Sequence, residues 1–349
     1  MFWVTIYKTN KIIPMAKEDL IIHDHNDDGI DRAGFIKCMA WAGTGILWMM
    51  NGGILKSYGM SQMIDKHTGH LKEGLVVPKS DFSFVQISDS HIGFNKPANP
   101  DVTGTLQAAI DKINGMPTPP SFILHTGDLS HLAQADEFDT LDQMLKSAKS
   151  DKVFYVPGEH DVLNGDNKLY MQRYGKGTKG DGWYSFDNKG VHFIGLVNVV
   201  NTSEGGLGQL GNDQLAWLQD DVKDLKASTP IVVFAHIPLW AVYPQWGWGT
   251  RDSEQALGYL KRFGSVTVLN GHIHQTMQKV EGNITFHTAT STAFPQPQPG
   301  TAPKPGPMKV ADDKLRSLLG LTSVHFAKHD HTLAITDIPL VDAAVKVGQ

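Results

Sequence analysis

Val266-Thr267-Val268-Leu269-Asn270-Gly271-His272-Ile273-His274 is the stretch from which the fold can be read. The run at 266–269 is apolar and β-branched, too short for a helix and suited to a buried strand. Glycine then allows a sharp turn. The two histidines stand two apart, so on extended chain they point the same way and can reach one ligand. The same order, a short apolar run and then residues able to hold a metal, recurs upstream. Ile87-Ser88-Asp89-Ser90-His91 closes the run from Phe82, and Thr126-Gly127-Asp128 follows Phe122-Ile123-Leu124-His125. Pro157-Gly158-Glu159-His160-Asp161 follows 153–156, and Ala235-His236 follows Ile231-Val232-Val233-Phe234.

Around these motifs, strands are expected at 82–87, 122–125, 153–156, 191–197, 231–235, 266–269, 284–290 and 332–335, with helices at 106–114, 135–150, 212–227 and 253–263. This alternation predicts an α/β fold. In open α/β sheets the carboxyl ends of neighbouring strands open into one crevice, where residues distant in sequence converge. Asp89, His91, Asp128, Glu159, His236, His272 and His274 are therefore the candidate metal ligands. The one cysteine, Cys38, excludes an intramolecular disulfide and a thiolate cage. Carboxylate with imidazole suits manganese, iron or zinc better than calcium or magnesium alone. Two such ions sharing a hydroxide provide a nucleophile at neutral pH and clamp phosphoryl oxygens.

Together these motifs resemble the calcineurin-like metallophosphoesterase superfamily, whose pattern is DxH, GD, GNH(D/E), a lone His after a strand, and GHxH. The match runs from about Phe82 to His274. Gly127-Asp128-Leu129-Ser130 and Tyr184-Ser185-Phe186-Asp187 are most similar to the branch resembling class III cyclic-nucleotide phosphodiesterases. The resemblance implies a four-layer αββα sandwich of the metallo-dependent phosphatase type. It implies that Asp89, His91 and His274 hold one metal, that His236 and His272 hold the other with Glu159 beside them, and that Asp128 bridges both. It makes His160 the group that contacts the phosphate or protonates the leaving oxygen. The implied activity is phosphodiester hydrolysis by attack of a metal-bridging hydroxide. Phosphomonoesterase or phosphotriesterase action on the same fold is the alternative, and a catalytically degenerate binding protein is the alternative of another class.

Two positions depart from the pattern. Glu159 stands where the family usually has Asn, adding a charge and a methylene. Three residues beyond Asp128, where many members have an Asp that in some orients the catalytic histidine, this chain has His131. Either Asp161 or another carboxylate orients His160, or His160 acts without an orienter, and His131 is open to the reading of a plain loop residue.

At 349 residues the chain suits one catalytic domain over 76–349, interrupted by a proline-rich loop at 294–307 that can form neither helix nor sheet. Residues 1–75 read differently. Arg32, Phe35, Ile36 and Lys37 before an uncharged run from Cys38 to Leu55 resemble a twin-arginine export signal or a relic of one, but Ala33 replaces the second arginine. An ordinary buried helix or a frayed extension is the alternative. Export to the periplasm through the twin-arginine machinery is thus expected, with a cytoplasmic location as the alternative. A formal net charge of −5 gives no sign of a nucleic-acid-binding surface, and a small-molecule phosphoester is the expected partner. Tyr243, Trp246 and Trp248 are open to two readings, a pocket wall for an organic leaving group or a packed surface loop. Arg251 is likewise a candidate phosphate contact or a plain surface charge, and the basic stretch 168–179 a mobile basic rim or a solvated loop.

Overall fold

Alternate residues of the central strands face different neighbours, and this alternation generates the layers. The computed structural model describes residues 46–51, 54–59, 82–150, 152–163, 166–202, 206–327 and 332–341. One sheet contains β1 (Ile46–Asn51), β2 (Ile54–Gly59), β3 (Phe82–Ile87), β4 (Ile123–His125), β5 (Val153–Tyr155), β12 (Gly320–Ala327) and β13 (Thr332–Pro339), in the order β2-β1-β13-β12-β3-β4-β5. The other contains β6 (Tyr184–Asn188), β7 (Val191–Gly195), β8 (Ile231–Phe234), β9 (Val266–Asn270), β10 (Gln278–Glu281) and β11 (Ile284–Thr288), in the order β10-β11-β9-β8-β7-β6.

Helices α1 (Val102–Asn114) and α2 (Ala135–Leu145) put Leu106, Ile110, Phe138 and Leu141 against Val85, Ile87 and Ile123 on the outer face of the first sheet. Helices α4 (Asn212–Val222) and α5 (Ser253–Leu260) cover Ile231, Val233 and Val268 of the second with Leu215, Leu218, Ala256 and Leu260. Between the sheets lie the residues of opposite parity, Phe84, Phe122, Leu124, Phe193, Val232, Phe234, Val324 and Phe326. Several of these rings meet edge to face, as Phe84 and Phe193 do at 5.4 Å and 83°, the geometry that ring quadrupoles favour. Helix, sheet, sheet and helix make the four layers that the resemblance implied.

In the first sheet β3, β4 and β5 run parallel, and in the second β7, β8, β9 and β11 do. All the ligand motifs consequently leave the sheets at one end. There Gln86 crosses between the sheets, donating from Nε2 to Thr126 Oγ1 at 3.0 Å and to the carbonyl of Asn270 at 3.1 Å.

Several boundaries differ from expectation. Helix α1 starts at Val102, four residues early, because Asp101 caps it by accepting from the Gly104 amide at 2.8 Å. Helices α2, α4 and α5 end before their expected bounds. Strands β6 and β10 were not anticipated; both are edge strands with partly exposed faces, and their apolar signal is short, Tyr184 and Phe186 in β6 and Val280 in β10. The basic stretch from Lys168 begins as a helix, α3 (Lys168–Tyr174), whose Arg173 binds Asp139 of α2 at 2.7 Å. The last described helix is α6 (Asp312–Leu318).

Strands β1 and β2 form a hairpin paired through β1 with β13, inside the stretch set aside as an extension. Arg32, Ala33, Phe35, Ile36, Lys37 and Cys38 lie outside the described residues.

Two histidines of the sheets, His287 buried and His325 partly buried, lie away from the ligand motifs. Burial pushes His287 of β11 down to about 3 and His325 of β12 to about 4, from 6.5. A depressed basic group binds fewer protons when folded, so its stabilising effect is full above pH 6.5 and is lost as pH falls through the folded value. The urea midpoint should drop as pH goes from 7 to 4, and His325→Gln should flatten that slope; an unchanged slope would show that His325 does not contribute.

Candidate metal centre

Five turns at the strand ends bring the ligand-type residues together, and their backbones are strained to do so. Asp89, His91, Asp128, His272 and His274 all have positive φ, between 42° and 71°. For residues with a Cβ this left-handed conformation costs roughly 1–2 kcal/mol each. The turns support one another. The amides of Asp89 and His91 donate to the carbonyls of Gly127 and Asp128, and the His272 amide reaches the Asp89 carboxylate at 3.1 Å. Glycine is required twice for different reasons. Gly127 has φ of 97°, and a Cβ on Gly158 would lie 2.1 Å from Asp128 Oδ1.

The side chains form two groups. In the first, His91 Nε2 lies 3.3 Å from His274 Nε2, which lies 3.3 Å from Asp89 Oδ1. In the second, Glu159 faces His236 Nε2 at 2.7 Å and His272 Nδ1 at 2.9 Å. Asp128 Oδ2 stands between the groups, 3.4 Å from His91 Nε2 and 3.5 Å from His236 Nε2. Ligands about 2.1 Å from one tetrahedral ion are about 3.4 Å apart, so most of these separations are those of atoms sharing an ion. His236 Nε2 and His272 Nδ1 face only carboxylates, and His272 Nε2 is buried with no hydrogen bond. Polar atoms are left so only where another partner is provided for. The residues thus fit divalent metals.

The inner nitrogens of His236 and His274 are kept free by a bond on the far side of the ring. His236 Nδ1 donates to the Thr126 carbonyl at 2.7 Å, and His274 Nδ1 to that of Phe294 at 2.5 Å. Such outer bonds fix the tautomer and turn Nε2 inward. Burial opposes charge on His236, but the carboxylates of Asp128 and Glu159 outweigh it and hold the ring well above its ordinary value. In Glu159, burial likewise works against the charge, and His272 and His236 keep the carboxyl well below the usual range. His91, facing other imidazoles, is driven well below 6.5 by burial and by His160 and His274.

His160 sits beside the centre. Its amide donates to Asp128 Oδ1 at 2.9 Å and its Nδ1 to the His131 carbonyl at 2.8 Å. That carbonyl is the orienting group. Asp161 does not orient His160, which corrects one of the expectations above. Its buried carboxylate accepts from the amides of Leu129, Ser130 and Gly158 and from Ser130 Oγ, all within 3.0 Å, and so ties the Asp128 turn to the Glu159 turn.

Sequence reasoning missed Phe294 and Gln296, at the start of the proline-rich loop. The Phe294 ring packs on His91 and His274, both with centroids 4.7 Å away, and Gln296 Nε2 donates to the His272 carbonyl at 3.0 Å. Only their place after a strand-like run hinted at this. Of the aromatic candidates, Trp248 is buried and meets Trp246 edge to face at 5.0 Å, a packed loop. Arg251 is exposed, and its amide binds the Gly208 carbonyl.

Residues 82–276 match the family described as calcineurin-like phosphoesterases. The chain belongs to this family of metal-dependent hydrolases. A protein named serine/threonine-protein phosphatase CPPED1, from Danio rerio, is 25% identical over 56% of this chain and 70% of its own length. A probable cyclic nucleotide phosphodiesterase from Vesicomyosocius okutanii is 26% identical over 61% of this chain and 88% of its own. Among solved structures, a dimetal phosphatase from Danio rerio superposes with a TM-score of 0.55 at 15% identity, covering 75% of this chain and 98% of that one. This likeness concerns the fold.

Gly158→Ala should drive its new methyl into Asp128 and lower both metal affinity and the urea midpoint. Gly258→Ala on α5, where a Cβ meets nothing within 4 Å, should instead stabilise by about 0.5–1 kcal/mol. Equal effects would contradict the packing at Gly158.

Proposed function

We propose that the chain is a binuclear metal-dependent phosphoesterase that hydrolyses phosphodiesters. The observation that carries this is Asp128 Oδ2, near-equidistant from His91 Nε2 and His236 Nε2 at 3.4 and 3.5 Å. Asp89, His91 and His274 would hold one ion, Glu159, His236 and His272 the other, and Asp128 both. Two divalent ions there supply a nucleophile at neutral pH and neutralise charge on the phosphoryl oxygens. Manganese, iron and zinc suit this donor set. His160, with Nδ1 committed to the His131 carbonyl, has Nε2 left to hold a phosphoryl oxygen or to give a proton to the leaving oxygen. Diesters are favoured over monoesters by the names of relatives, which include a probable cyclic nucleotide phosphodiesterase and a probable glycerophosphodiester phosphodiesterase beside one phosphatase.

Metal content and turnover of bis- and mono-(p-nitrophenyl) phosphate test this reading. About two ions per chain and faster diester cleavage are expected. Monoester preference would replace the diester assignment. Less than about one ion per chain, with no turnover after manganese or iron addition, would favour a binding protein on this scaffold. We also propose export through the twin-arginine machinery, from Arg32 and Phe35-Ile36-Lys37, with a cytoplasmic location as the alternative. Cell fractionation separates them.

Glu159 makes a further difference measurable. The carboxylates of Asp89, Asp128 and Glu159 against two divalent ions leave a formal charge of +1, which a hydroxide would cancel. With Asn at 159 the cluster would keep +1. Glu159→Asn should therefore retain metal less tightly and turn over an anionic diester faster; tighter retention with slower turnover would refute this.

A further inference from the structure

We propose that His131 is a substrate-contacting residue whose Nε2–H donates to a non-bridging phosphoryl oxygen beside His160. The inference rests on His91 being a metal ligand through Nε2, as above. That nitrogen faces His274 Nε2 at 3.3 Å and Asp128 Oδ2 at 3.4 Å. An imidazole ligating through Nε2 carries its proton on Nδ1. His91 Nδ1 lies 3.3 Å from His131 Nδ1, and only one hydrogen fits between two nitrogens at that distance. It comes from His91, so His131 Nδ1 accepts. An uncharged histidine that accepts on Nδ1 bears its hydrogen on Nε2.

No described residue takes a hydrogen bond from His131 Nε2, and the ring is partly exposed. The ring is nevertheless fixed. It stacks on His160 at 4.7 Å and 17°, and meets Phe94 at 5.1 Å and 87° and His91 at 5.4 Å and 66°. Ring nitrogens of His91, His131 and His160 lie within 4.8 Å of one another. The three imidazoles therefore cluster beside Asp128, with His131 stacked on the ring that reaches the phosphoryl group, and a donor held this rigidly need not reorganise when charge develops there.

Two variants of the full chain divide the two ends of the ring. In His131→Asn the amide occupies the place of Nδ1, keeping an acceptor for His91 and losing the outer donor. In His131→Gln the amide reaches the place of Nε2, keeping the outer donor and losing the contact with His91. Calorimetry would measure manganese affinity, then orthophosphate affinity of the manganese-loaded protein, beside kcat and KM for bis(p-nitrophenyl) phosphate. His131→Asn should keep manganese affinity within about twofold and lose about tenfold in orthophosphate affinity and kcat/KM, the equivalent of one hydrogen bond. His131→Gln should lose about tenfold in manganese affinity and hold orthophosphate more nearly as the unaltered protein does. Unaltered orthophosphate affinity in His131→Asn, or equal losses in both variants, would overturn the proposal and leave a packing role. Failure of the unaltered protein to bind manganese would overturn the ligand reading and this inference with it.

Discussion

One carboxylate, Asp128, has to face two groups of ligands at once, and much of the surrounding structure serves that requirement. Its Oδ2 lies between His91 and His236, which arrive from different sheets. Its Oδ1 is held by the His160 amide. For the side chain to stand there the backbone of Asp128 takes φ of 50°, and Gly158 must leave room for it. Five of the seven described non-glycine residues with positive φ are candidate ligands. That concentration means strain is placed where geometry matters, and the inter-turn bonds and buried sheets around it offset the cost.

The sandwich supplies the rigidity. Parallel strands in both sheets end at one edge of a shared aromatic layer, so five turns from distant parts of the chain meet without any long connection carrying a ligand. The apolar layer stops at Gln86, whose bonds to Thr126 and Asn270 replace ring packing with hydrogen bonds just before the ligands begin. Asp161 belongs to the same construction. A charge buried there is held by three amides and a hydroxyl that join the Asp128 and Glu159 turns.

The parts legible in the sequence were those written in local order. Apolar runs such as 231–234 gave the central strands, and ligand-type residues at their ends gave the site, because strand and turn are neighbours in the chain. What escaped was set by contacts far apart in sequence. Phe294 begins a run of prolines and glycines that looked like a bare connector, yet it lies 20 residues from the His274 whose Nδ1 it receives. Asp161 follows His160 directly, which invited a pairing; the turn instead sends its carboxylate toward Leu129 and Ser130. Edge strand β10 had no apolar face to announce it, and β6 has only Tyr184 and Phe186 in a short run that ends in Asp187 and Asn188.

The two departures from the family pattern gain sense when taken together. Where the pattern has a neutral amide, Glu159 adds a negative charge directly against His236 and His272. Where many members have a carboxylate, His131 removes one, on the opposite side of Asp128, next to His91 and His160. The count of carboxylates near the centre is then unchanged while their placement is reversed. Negative charge moves toward one ligand group, and the side beside His160 exchanges an acceptor for an imidazole that can donate. An anionic phosphoryl group approaching from the His160 side meets less repulsion than Glu159 alone would suggest. The orienting bond that an Asp makes in some relatives is made here by the backbone carbonyl of residue 131, so the side chain at that position is released from the task.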